Sequence, residues 1–244
     1  MIVELHLGPD PRDATLARYL SLAADDSSLV GDIVLQLARA IIQGAIPPGT
    51  VINSQDLARR FATSRTPIRE AIIALSREGL VHIPPRRRPR VANPSAKEIA
   101  ELYELRAQLH SLVAVKLAQR SNEISLEPLL PLLNQMSQAV ANDDTDGYFW
   151  ANVDFHHICA ELCGDVILAR TLQGIGLQTL RLRRLGMSLP GRTARSLADH
   201  ERLFLAFTEG DDILAGALMK SIVLRALPGV QELVANSAIV DSAD

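Results

Sequence analysis

Ser64-Arg65-Thr66-Pro67-Ile68-Arg69-Glu70-Ala71-Ile72 is the stretch on which the fold turns. It reads as the opening of a helix. Ser64 or Thr66 is placed to cap it, and Pro67 suits a first turn, where its missing N–H has no partner to lose. Ile68, Ile72 and Leu75 form an apolar packing stripe, whereas Arg65 and Arg69, four residues apart, share one polar face. A polar helix start with two guanidiniums on one side is suited to base edges and phosphates in a DNA groove.

The flanking sequence extends this reading. Upstream, Leu29 to Gln43 places Leu29, Ile33, Leu37 and Ile41 at helical spacing, and Gly44 is a natural stop. Ile46-Pro47-Pro48-Gly49-Thr50 makes a stiff turn, after which Asn53 or Ser54 caps a short helix through Phe61. Downstream, the chain leaves the helix at Gly79 and Val81-His82-Ile83 is extended. Pro84 to Val91, with Arg86, Arg87, Arg88 and Arg90, then reads as a basic hairpin. Three helices and a two-stranded wing predict a winged helix-turn-helix. Residues 29–97 hold 11 Lys/Arg against 4 Asp/Glu, a net of +7, so the remainder carries −10 to give the chain's −3. The near-neutral total thus hides a basic segment of the kind a polyanion requires.

The run from Pro47-Pro48-Gly49-Thr50 to Arg106-Ala107-Gln108-Leu109 resembles the DNA-binding half of GntR-family repressors in the FadR-like branch, and the match covers about residues 29–110. The resemblance implies DNA contacts by Gln55, Ser64, Arg65, Thr66 and Arg69, with Arg86, Arg87 and Arg88 on the wing. The family's wing tip usually carries a glycine, and the alignment puts Arg88 there. A tip of three arginines is expected to lean on phosphate charge more than on close backbone approach.

The chain has 244 residues, 48% of them hydrophobic and only 4% aromatic, a composition that favours aliphatic helix-on-helix packing. No signal-peptide pattern and no run of about 18 uncharged apolar residues occurs, so no membrane partner is expected. Cys159 and Cys163, one turn apart, suit a reducing compartment, and the expected location is the cytoplasm. The expected divisions are an N-terminal extension at 1–28 with weak helical character from Leu16 to Leu22, and a winged helix-turn-helix at 29–94. A helical effector-binding and dimerisation domain at 95–230 and a tail at 231–244 complete the chain. In the helical domain, Ser95-Ala96-Lys97-Glu98 is a capping box that starts a helix running through Gln119. Further helical periodicity spans about 126–141, 146–163, 165–186, 193–209 and 211–226, six helices in all, which predicts a mostly α protein ending in a helical bundle.

Glu101 to Arg106, Asn152 to His156 and Asp199 to Phe207, with Gly210-Asp211, resemble the all-helical FCD ligand-binding domain that follows the winged helix in FadR-like regulators. The resemblance implies a divalent metal, Zn²⁺, Ni²⁺ or Mn²⁺, held by one carboxylate and three histidines, and a small carboxylate effector. This sequence supplies Asn152 for the carboxylate, His156 and His200 for two histidines, and Ile222 for the third. Two imidazoles and an amide fall short of the three good protein ligands that tight Zn²⁺ binding uses, so the ligand count favours no metal. Cys159, Cys163 and His110 are the further residues available to complete a metal site, although small buried cysteines and satisfied histidines are common in helical cores. A metal-free pocket shaped by the same polar groups and a purely structural core stand as the other readings. Arg106, His110, Asn152, His156 and His200 are the candidate effector residues, with Arg106 the anchor for a carboxylate unless a neighbouring Glu101 or Glu104 takes it. Arg181, Arg183 and Arg184 read mostly as a solvated or inter-subunit face.

The expected function is regulation of transcription: a homodimer on a palindromic operator, its affinity set by a small organic acid. A metal-dependent enzyme, or a winged helix used only for protein contacts, are the alternatives. No activated nucleophile, glycine-rich phosphate loop or HExxH helix supports the former.

Overall fold

The computed structural model describes residues 10, 12–20 and 28–240, with side chains described as far as residue 235. The chain divides into two compact units, residues 1–93 together with 174–181, and residues 94–173 together with 182–244.

In the first unit, α1 (Asp13–Tyr19) precedes α2 (Leu29–Ile42), α3 (Ser54–Arg60) and α4 (Arg65–Arg77), and the strands β1 (Val81–His82) and β2 (Arg90–Val91) follow. Capping decides where these helices begin. The Ser28 hydroxyl accepts the Gly31 N–H at 3.0 Å to open α2, and the Asn53 carboxamide accepts the Gln55 N–H at 3.0 Å to open α3. Ser64 holds the extended N-cap conformation of α4, but its side chain makes no cap hydrogen bond, contrary to expectation, and Thr66 lies inside the first turn. The helix is held by its packing instead. Ile68, Ala71, Ile72 and Leu75 of α4 are buried, as are Ile33, Val34, Leu37 and Ile41 of α2, on which α4 packs.

The wing is an antiparallel pair in which Val81 faces Val91 and His82 faces Arg90. It has a third element that the two-stranded expectation missed. Val51 bridges Arg90, and the Ile52 N–H donates to the Pro89 carbonyl at 2.8 Å, so the turn after Pro48 tethers the hairpin from its other edge. The described part of the N-terminal extension is docked: Leu16 is fully buried, and Asp13 pairs with the buried Arg39 of α2 at 3.2 Å. The last residues of the expected Leu16–Leu22 helix lie outside the described residues.

The second unit is helical throughout. Its helices are α5 (Ala96–Gln119), a 3₁₀ turn (Glu127–Leu129), α6 (Leu130–Ala141), α7 (Thr145–Leu162), α8 (Val166–Met187, of which residues 174–181 count with the first unit), α9 (Arg192–Glu209), α10 (Asp212–Leu224) and α11 (Leu227–Val240). The capping box forms: the Ser95 hydroxyl accepts the Glu98 N–H at 3.2 Å and the Glu98 carboxylate accepts the Ser95 N–H at 2.8 Å. Asp144, Asp165 and Asp211 cap α7, α8 and α10 in the same sense, which places an anion at the positive end of each helix.

α5 and α10 pack closely because Gly216 has no side chain. A Cβ there would lie 2.7 Å from Val115 Cγ2, and the Ser111 hydroxyl reaches the Gly216 carbonyl at 2.9 Å. The expected tail is instead mostly helix. α11 packs on α5, and Val230 is fully buried with Ile99, Tyr103, Leu182 and Val223. Within Asp212–Ala235 an 18-residue window has a mean hydropathy of 1.6, but a turn before Leu227 divides the stretch between α10 and α11.

Candidate functional site

Two sites emerge, one on each unit. On the first, the start of α4, the start of α3 and the wing enclose a groove of about 580 Å³. Gln55, Arg65, Arg69, Arg87 and Arg88 line it, and Ile73 and Ile83 add exposed apolar surface. Among the described residues these four arginines enter no ion pair, whereas the neighbouring Arg59 is held by Asp56. Unpaired guanidiniums facing one groove are free to meet phosphate and base edges. Ser64, Thr66 and Arg86 are exposed but do not line the groove.

The wing tip departs from expectation. The residue in the left-handed conformation that favours glycine is Arg86, with φ +57°, rather than Arg88. The turn spans Pro84 to Arg87, whose N–H donates to the Pro84 carbonyl at 3.2 Å, and this puts the tight corner two residues earlier.

On the second unit, α5, α7, α8 and α9 deliver polar side chains to the interior. The His200 Nδ1–H donates to the Ser196 carbonyl at 2.7 Å, which leaves Nε2 as the acceptor. The Asn152 amide donates to that nitrogen at 3.0 Å, and His156 Nε2 lies 3.3 Å from it. Arg183 in turn donates to Asn152 Oδ1 at 3.2 Å. His110 meets His156 edge-on with ring centroids 4.8 Å apart. Burial holds the His200 pKa down to about 4 and those of His110 and His156 well below the usual value, with the nearby guanidiniums acting in the same direction. All three rings are therefore neutral at pH 7.

Beside this chain lies a narrow cavity of about 20 Å³. Its polar lining is Tyr103, Arg106, Asn152, His156, Arg183 and Arg192, and Ile222 belongs to its apolar wall. Of the expected effector residues, Arg106, Asn152 and His156 reach the cavity, while His110 and His200 stand behind it. Three polar lining residues were not anticipated: Tyr103, Arg183 and Arg192. Arg183 is 5% exposed, so it is no part of a solvated face. Helical spacing carries the signal in both cases. Arg183 lies on the stripe of Leu180 and Met187, and Arg192 on the stripe of Ser196, His200 and Leu203.

A divalent metal does not fit these residues. Ile222 offers no donor, Arg183 already occupies the Asn152 oxygen, and three guanidiniums would repel a cation. Among the described residues no three His, Cys, Asp or Glu side chains are grouped to hold a metal. Cys159 and Cys163 do not line the cavity, and burial raises both thiol pKa values, which keeps them from serving as thiolates.

Comparison with known proteins covers both units. Residues 29–91 match the family model "Bacterial regulatory proteins, gntR family", and residues 101–225 match that of the FCD domain. The HTH-type transcriptional regulator YdhC of Bacillus subtilis is 29% identical over 171 residues, covering 69% of this chain and 76% of that protein. The HTH-type transcriptional repressor RspR of Escherichia coli is 26% identical over 175 residues, covering 72% and 77%. A GntR regulator from Rhodococcus sp. RHA1 shares the fold with a TM-score of 0.70 at 21% identity, over 82% of this chain and 96% of its own. The chain therefore belongs to the gntR family of bacterial regulatory proteins, with an FCD domain as its second half, and is a transcriptional regulator rather than an enzyme.

Proposed function

We propose that this regulator acts as a homodimeric repressor in the cytoplasm, binding a short palindromic operator through paired α4 helices and wings. A small organic acid in the helical unit would set its affinity for that operator. Arg65 and Arg69 would read bases and phosphates, and Arg87 and Arg88 would hold the flanking backbone. The observation that carries the effector reading is the cavity lined by the buried Arg192, whose Nε and Nη1 have no hydrogen-bond partner. A buried cation is stable only when paired, so such a cavity calls for an anion. α5 begins five residues after β2 ends, and a shift of α5 on effector binding would move the DNA-reading heads.

The test is operator affinity by fluorescence anisotropy, on a site located by footprinting, with and without a panel of small organic acids. One acid should change the Kd at least fivefold, a typical allosteric coupling. If no acid moved it, the effector reading would fall while DNA binding stood.

A further inference from the structure

We propose that the apolar end of the groove between α4 and the wing reads thymine, with Ile73 and Ile83 seating the 5-methyl group of an operator base. This rests on reading the first unit as the DNA-binding unit, and it adds a contact that the arginines cannot make.

Exposure carries the assignment. Among the described residues of the first unit, the exposed large hydrophobic side chains are Leu29, Ile73 and Ile83, and the last two line one groove. Ile73 is 47% and Ile83 40% exposed, whereas Ile52 and Ile72 of the same lining are buried. The groove thus has an apolar floor that opens to solvent at two isoleucines. Apolar surface gathered in one exposed place marks a contact with a partner.

The charge of the same lining names that partner. Arg65, Arg69, Arg87 and Arg88 share the groove, and among the described residues none of them enters an ion pair. A polyanion satisfies four free guanidiniums, whereas an apolar protein surface would leave them uncompensated. On duplex DNA, the apolar group that carries sequence is the thymine 5-methyl, which projects into the major groove. A guanidinium bonds guanine or phosphate but does not tell that methyl from a hydrogen.

Position supports the pairing. Arg65, Arg69 and Ile73 follow one another at intervals of four residues, so they share a face of α4. Ile73 lies about 12 Å along the helix axis from Arg65, and a major groove is about 12 Å wide. With Arg65 among base edges, Ile73 stands near the rim, where a strand would pass between α4 and the wing. Ile83 follows β1, and the wing is fixed by the pairing of Val81 with Val91 and by the hydrogen bond from Ile52 to Pro89.

The experiment is operator binding by the full-length protein in fluorescence anisotropy, with each thymine replaced in turn by uracil, which removes only the methyl. Ile73→Ala and Ile83→Thr are measured beside the parent. At one or more positions the parent should bind the uracil operator about fourfold more weakly, the value of one buried methyl. That difference should vanish in Ile73→Ala and shrink in Ile83→Thr. Both variants should keep the parent's salt slope, since an apolar contact releases no counterion. Both side chains are half-exposed, so thermal midpoints close to the parent's are expected and show that the fold is kept. An operator indifferent to uracil at every position would overturn the site. So would a uracil effect that both variants retain in full, which would belong to another residue, or an altered oligomeric state of Ile73→Ala with unchanged operator affinity, which would make the patch a protein contact. Tight, methyl-blind binding overturns this site alone, whereas absence of any operator binding at low salt would fail the DNA-binding reading itself.

Discussion

Arg86 holds φ +57° at the wing tip, a conformation that costs an L-residue about 1 kcal/mol and glycine almost nothing. Arg86→Gly should therefore raise the stability of the first unit, by up to about 1 kcal/mol in denaturant unfolding, and lower the salt dependence of DNA affinity by about one unit of slope. An unchanged slope would mean that Arg86 touches no phosphate. Arg65→Ala should weaken operator binding by about 1–3 kcal/mol and leave random DNA less affected. Equal losses on both would rule out base reading by Arg65. Single residues are also where the sequence was hardest to read. His156 and Arg106 were found through motif resemblance, but Arg183 and Arg192 were not, because arginine is mostly a surface residue and only its place on a buried stripe betrays it.

At the scale of elements, caps and breaks were the readable features. Ser95-Ala96-Lys97-Glu98 starts α5 and Asn53 starts α3 as expected, since a capping side chain acts over three residues and needs no tertiary partner. α11 was missed for the opposite reason. The helical periodicity read from the sequence ends at 226, just before Pro228-Gly229, yet a proline in the first turn is well tolerated, and packing of Val230 on Tyr103 and Val223 supplies what propensity lacks. The third edge of the wing, Val51 on Arg90, depends on a pairing 39 residues apart that no local pattern announces. Close packing of α5 and α10 is testable directly. Gly216→Ala would force a methyl against Val115, so it should destabilise the protein by about 1–3 kcal/mol, read as a lower midpoint in thermal unfolding. Full retention of stability would show that the two helices slide apart without penalty.

For the molecule as a whole, the three buried histidines set how stability follows acidity. Their pKa values are depressed in the folded state, His200 to about 4 against 6.5 when unfolded. The unfolded chain then binds more protons, so stability is fully present above about pH 6.5 and is lost as pH falls toward 4. Each such histidine contributes up to about 1.4 kcal/mol per pH unit across that window. Tm should fall steadily from pH 7 to 4.5, and His110→Gln should flatten the decline; a flat Tm in the parent protein would mean that the rings are already charged when folded. The size of the cavity has a different consequence, one of timing. A space of about 20 Å³ is smaller than any organic acid, so no effector can enter the molecule as it stands. Entry of the proposed effector would await a transient parting of α10 from the arginines. In stopped-flow mixing, the observed rate should then level off at the opening rate as ligand concentration rises, rather than climb without limit. The regulator would answer a pulse of metabolite only when the pulse outlasts that wait.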